Sequence, residues 1–288
     1  MNRPGALKKS FILLCLSCTP FEAAGDRLPD ATAPEPAWRC LGAPPQLPPP
    51  VITPERITYV VPIVDFDSQR GVSAPVPGLG ITVCDSAQCD PPVPACSGVL
   101  TPDCVDVQEM AADPSLLYAL SFPYGFDDAV LRLQAPGYAD IDYVLGGPMV
   151  GSPEGAPVVN GLVIAMPLWT TAQSISLELG SSPSPDQHTL LLRALDCDGQ
   201  RASGVTVQSL KTGQGIPFIL SEDARPRRDT LVTSARGVAG LIAVPSPKVD
   251  VIGMSPSGIE FGGPTTIELR PSVVTVAELR HGLGVWGQ

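Results

Sequence analysis

Eight cysteines, two histidines and several closely spaced carboxylate pairs are the residues of this 288-residue chain whose types and spacing lend themselves to chemistry. The thiols come first. Cys15 lies in the N-terminal apolar run and Cys18 just beyond it. Cys40, Cys84, Cys89, Cys96, Cys104 and Cys197 remain as an even set, which in an exported chain reads as a disulfide framework. Cys84, Cys89, Cys96 and Cys104 crowd a Pro- and Asp-rich stretch at 84–104, with too little apolar content to build a core of its own. The expected pairing is two bonds within this cluster and one from Cys40 to Cys197, among the 15 pairings that six cysteines allow. The last bond would tie the entry segment Trp38-Arg-Cys40 to the start of the second half. Closing a loop of that length stabilises by on the order of 4–5 kcal/mol in the chain-entropy model. A four-cysteine metal site fits poorly, because the spacings are not the Cys-x-x-Cys pairs that zinc sites use. No metal and no cofactor is expected.

The other candidates read more plainly. His188 falls in a linker and His281 near the tail, and both read as exposed polar residues rather than general bases. Gly253-Met-Ser-Pro-Ser-Gly258 lacks the spacing of a nucleophile elbow. Asp65/Asp67, Asp127/Asp128, Asp140/Asp142 and Asp196/Asp198 have a spacing that can serve calcium where loop carbonyls converge. Carboxylates in such places are commonly turn formers. Asp65 and Asp196 follow the first strand of each half, which suggests a repeated turn. Aromatic residues are 5% of the chain, few for a sugar-stacking surface.

The elements that would position these residues are short strands, expected over Ile57–Phe66, Leu79–Cys84, Leu116–Phe122, Ala129–Gln134, Ile141–Leu145 and Leu162–Pro167 in the first half, and over Thr189–Leu195, Val205–Leu210, Pro217–Leu220, Leu231–Thr233, Gly240–Val244, Lys248–Met254, Thr265–Arg270 and Val273–Glu278 in the second. The 34 prolines and 28 glycines punctuate the chain too densely for a helical protein and suit strands joined by turns. Residues 1–17 read as an export signal: Arg3, Lys8 and Lys9 precede a short apolar run from Phe11 to Leu16. Cleavage before Cys18 would make that cysteine a lipid anchor. Losing 1–17 removes three of the 18 basic residues and none of the 29 acidic ones, so the net charge moves from −11 to −14. Such a chain is poorly suited to nucleic acid, and it would meet a membrane only through the lipid. Residues 18–54 form a Pro-rich tether, 55–169 a first β-sandwich carrying the 84–104 insertion, 170–187 a short helix and linker, 188–280 a second β-sandwich, and 281–288 a tail. The helix is expected over 169–180, capped by Thr170 or Thr171 and ended by Gly180. A strand is the alternative there, because Ile175, Leu177 and Leu179 alternate.

The two halves look like copies of one another. Ile63–Gln69 and Pro77–Val83 correspond to Leu192–Gln200 and Gly204–Val207. Leu117–Pro123 and Val130–Tyr138 correspond to Gly240–Pro245 and Val249–Ser257, and each copy ends in an apolar segment. The expected class is therefore all-β, with two tandem Greek-key sandwiches. Gly204-Val-Thr-Val207, Thr233-Ser-Ala-Arg-Gly237 with Leu241, and Ala135-Pro-Gly-Tyr138 resemble the carboxypeptidase regulatory-like domain family. Thr233–Gly237 lacks the Asp of that family's turn, and the first copy carries the cysteine insertion in its place. The layout, with Trp38-Arg-Cys-Leu-Gly42, is similar to that of bacterial surface lipoproteins bearing two such domains. The resemblance implies a transthyretin-like fold and a non-catalytic accessory or adhesive module. With the signal, the tether, the cysteines and the repeat, the expected role is structural, adhesive or interaction at the cell envelope, with an envelope protein or a glycan as partner. It implies no set of functional residues. The alternative is a secreted module that binds carbohydrate or protein beside a separate enzyme. Peptide mapping without reductant should find no free thiol among Cys40, Cys84, Cys89, Cys96, Cys104 and Cys197; several free thiols would refute the framework.

Overall fold

A computed structural model describes residues 38, 41, 56–66, 75–85, 89, 92–97, 104–112, 115–123, 129–144, 164–182, 184, 186–197, 200–209, 215–229 and 231–279. All of them lie within one compact unit, 34–288. The expected signal at 1–17, Cys18 and the tail at 281–288 lie outside the described residues.

The first half supplies β1 (Arg56–Asp65), β2 (Gly80–Cys84), β3 (Asp106–Ala112), β4 (Ser115–Pro123), β5 (Val130–Gln134), β6 (Ile141–Val144) and β7 (Ile164–Met166). The helix α1 (Trp169–Glu178) follows. The second half supplies β8 (His188–Ala194), β9 (Thr206–Ser209), β10 (Ile216–Leu220), β11 (Pro226–Arg227), β12 (Val238–Val244), β13 (Lys248–Met254), β14 (Glu260–Glu268) and β15 (Val274–Leu279). Among the described residues the protein is all-β with one short helix, and each strand of the first copy has a counterpart in the second. In the first, a sheet ordered β3-β4-β1-β7 faces β2-β5-β6; in the second, β10-β12-β8-β15 faces β9-β13-β14, with the short β11 added beside β10. In both, the closing strand runs parallel to the opening one, Ile63 beside Ile164 and Val274 beside Thr189.

The copies are also fused. β15 pairs parallel with β8 on one side and with β6 of the first copy on the other, placing Val276 beside Tyr143. An eight-stranded sheet therefore runs β11-β10-β12-β8-β15-β6-β5-β2 through both halves. Successive residues of a strand point to opposite faces, and the cores use this. Val274 and Val276 join Ile141, Tyr143, Leu131 and Ile164 in the first core. Ala277 and Leu279 join Leu190, Leu192, Val249 and Ile267 in the second. β15 is consequently buried at every position, the pattern of a strand covered on both faces.

Several local expectations shift. β3 and the two-residue β11 lie outside the expected strands. The strand expected over Leu231–Thr233 is only a single bridge from Val232 to Thr206. β14 lies earlier than the expected Thr265–Arg270. The helix forms, but its N-cap is Leu168 with no side-chain cap bond, not Thr170 or Thr171. Its end is as expected. Gly180 has φ +75°, its N–H donates to the Leu177 carbonyl at 2.9 Å, and the Ser181 N–H donates to the Ser176 carbonyl at 2.9 Å. This paired arrangement satisfies two helix-end carbonyls, and the left-handed position favours glycine. His188 is not an exposed linker residue. β8 starts one residue earlier than expected, and the inward phase of its alternation buries His188 to 6% exposure. The tether is seated on the body at Trp38 and Leu41, which are buried in the second core.

A side chain has no room at Gly240 of β12. A Cβ there would meet the Leu190 carbonyl oxygen at 2.6 Å and the Phe218 ring at 2.7 Å. Gly240→Ala should cost about 1–3 kcal/mol through overpacking, read as a lower urea midpoint; an unchanged midpoint would refute this packing.

Candidate functional site

Among the described residues a cleft of about 170 Å³ opens at the meeting of the two copies. It exists because the second copy's four-stranded sheet turns one face to its own core and leaves the other face outward. α1 and its following turn cover part of that outer face: Leu179 packs with Phe218, Leu220 and Ile242, and Ile175 leans on them. No residue of α1 itself is fully buried, so the helix borders the space without filling it. The wall opposite comes from the first copy, with Phe66 and Ile164. Trp169, at the start of α1, is 42% exposed and lines the cleft as well.

Most of the lining is apolar, and two of its polar members share one buried carboxylate. Tyr143 on β6 and Arg193 on β8 both line the cleft, and each meets Glu278 on β15. The Tyr143 hydroxyl donates to Glu278 Oε1 at 2.6 Å. Arg193 Nη1 donates to the same oxygen at 3.3 Å and also reaches the Tyr143 oxygen at 3.3 Å. Tyr143 is 1% exposed and Glu278 7%. Burial foremost, then the Glu278 charge, pushes the Tyr143 hydroxyl well above its ordinary range, so it remains a donor. The neighbouring residue on β6, Asp142, points to the other face. It accepts Arg270 Nη2 at 2.7 Å and Arg132 Nε at 3.3 Å. Two consecutive residues of the first copy thus grip the second copy from both faces of the shared sheet.

Arg201 and Arg236 line the cleft as well, together with Gln173, Gln187, Thr189 and several serines. Arg236 Nε donates to the Glu222 carbonyl at 2.7 Å. Partial burial of the Arg201 guanidinium, and then the charges of Arg193 and Arg236, hold it below its ordinary value.

The sequence-derived candidates fall elsewhere. Cys84 is bonded to Cys89 and Cys96 to Cys104, two bonds within the insertion. Cys84, Cys89 and Val130 form a small buried cluster at the end of the first copy. Cys197 is disulfide-bonded too, with its partner outside the described residues, as is Cys40. Asp196 makes the expected turn, since its Oδ1 accepts the Gln200 N–H at 2.8 Å. Asp65 accepts the Tyr138 hydroxyl at 3.1 Å, and the turn expected after it falls outside the described residues. Asp67, Asp127, Asp128, Asp198 and His281 lie outside the described residues. Among the described residues no three His, Cys, Asp or Glu side chains converge to hold an ion. Ser255 sits in the β13–β14 turn, where its Oγ accepts the Ile259 N–H at 3.1 Å. Sequence reasoning missed the Tyr143–Glu278–Arg193 group. Its signal was a single Arg in Leu-Leu-Leu-Arg-Ala and a single Glu in Val-Thr-Val-Ala-Glu-Leu, opposite charges within two buried strands.

No family model and no curated protein matches the chain. Among solved structures it is similar to the Bacillus anthracis TIE protein, at 10% identity and TM-score 0.22, covering 77% of this chain and 33% of that one. This chain therefore spans about a third of that protein's length. It is similar to a streptococcal ancillary pilin at 12% identity and TM-score 0.21, covering 78% and 69%. It is similar to the shaft pilin SpaA of Lactobacillus rhamnosus GG at 12% identity and TM-score 0.21, covering 78% and 97%. The all-β fold rests on the strand pairing described above and not on these likenesses.

Removing one member of a buried ion pair strands the other. Glu278→Ala should cost about 3–5 kcal/mol, read from urea unfolding. The triple variant Tyr143→Phe, Arg193→Met, Glu278→Leu should recover most of that loss. A Glu278→Ala protein as stable as the parent would overturn the assigned role.

Proposed function

We propose that this chain is an exported, lipid-anchored protein of the cell envelope with a non-catalytic structural or interaction role, built from two transthyretin-like modules of the carboxypeptidase regulatory-like kind. The observation that carries the export is the cysteine chemistry: Cys84–Cys89 and Cys96–Cys104 are bonded and Cys197 is bonded as well. Disulfides in this number belong to an oxidising compartment. The signal-like segment at 1–17, followed by Cys18, supports the same destination.

A structural or interaction role is supported by what the fold spends its charged residues on. The buried carboxylates Asp142 and Glu278 are held by arginines at the junction of the copies, where they set the geometry of one copy against the other. His188 is buried at the head of β8. No helix of the described residues is long and apolar enough to cross a membrane. In this reading attachment is through a lipid on Cys18, with the Pro-rich segment behind it as a spacer. The partner in this reading is another envelope protein or a glycan.

Cys18→Ala tests the anchor. The parent should partition with membranes and incorporate labelled fatty acid, and the variant should be released and unlabelled. Unchanged partitioning would sink the anchor.

A further inference from the structure

The cleft between the copies combines three features that point to a ligand of definite chemistry. Its volume of about 170 Å³ is close to that of engineered cavities, roughly 150 Å³, that take up a benzene ring. The walls are apolar and aromatic, with Phe66, Trp169 and Phe218 from three separate elements. Arg193, Arg201 and Arg236 also line it, in a chain whose net charge is −11. Arg193 is matched by Glu278. Arg236 is bonded through Nε to a carbonyl, which carries no neutralising charge. Arg201 has no acceptor among the described residues, and its charge neighbours are Arg193 and Arg236. Guanidinium groups gathered at the partly exposed rim of an apolar cleft gain from a shared anion, and their planar donor fork suits a carboxylate.

We propose that this cleft binds a small organic carboxylate consisting of one ring-sized apolar group with an acidic head. The ring would lie among Phe66, Trp169 and Phe218, and the carboxylate would meet Arg201 and Arg236. This goes beyond the envelope role, which stands or falls on the fate of Cys18 however the cleft behaves.

Calorimetric titration of the full chain with 3-phenylpropionate, 3-phenylpropanamide and 3-phenylpropylamine separates the contributions. The carboxylate should bind with a dissociation constant of about 1 mM or lower. The amide should bind at least about tenfold more weakly, and the amine not at all. Arg201→Ala alters only the exposed rim, so it should keep the fold; with Arg236→Ala it should lower carboxylate affinity at least about tenfold, a difference of about 1.4 kcal/mol, and leave the amide unchanged. Ala172→Phe, which fills the cleft from α1, should abolish both. Equal binding of all three compounds, no binding of the carboxylate, or full affinity in the Arg201→Ala, Arg236→Ala protein would each overturn the proposal. Where the double variant fails to fold, Arg201→Ala alone should weaken carboxylate binding, and full affinity in that single variant would overturn the proposal equally.

Discussion

One strand has to satisfy two cores. β15 contributes Val274 and Val276 to the first and Ala277 and Leu279 to the second, so none of its six positions is free to face water. Its parallel pairing with β6 and β8 converts two sandwiches into a single body with one continuous sheet. The other features described here are arranged around that constraint. The buried arginine–carboxylate groups flank it, the cleft opens beside it, and α1 sits over the sheet face that the fusion leaves uncovered.

A buried charge inside such a joint contributes more to specificity than to stability. Taking Glu278 and Arg193 out of water costs several kcal/mol per ion, which their attraction only partly offsets. What they supply is register. Glu278 lies beside Arg193 across β15 and β8, and a slip of one residue would send each to the opposite face. Asp142 does the same for β6 from the other side. A joint made of Val and Leu alone would leave several registers close in energy.

The repeat was legible because it is written in short-range terms. Turn residues such as Pro136-Gly137 and Pro256–Gly258 recur after equivalent strands, and the apolar segments between them have matching lengths. The positions of Cys84, Cys89, Cys96 and Cys104 were equally plain. What escaped was non-local or muted. β3 was missed because Val107, Gln108 and Glu109 are exposed on an edge strand, and their composition reads as loop. The β6–β15 pairing carries no local signal, because each strand would have paired equally well within its own copy on composition alone. The cleft follows from that pairing and was invisible for the same reason. His188 was placed outside the strand because β8 begins one residue earlier than expected, and the alternation of the strand then turns that residue into the core.

The place of β15 in the chain has a consequence for the order of assembly. Tyr143 and Glu278 are 135 residues apart in sequence, so the first copy's sheet keeps β6 as an open edge until nearly all of the second copy has emerged. An unpaired edge of that kind is a template for wrong partners, and closure over so long a separation is slow. A chain that crosses a membrane before folding would meet both demands at once on the far side. Its folding success there would depend on the time β6 spends waiting for its late neighbour.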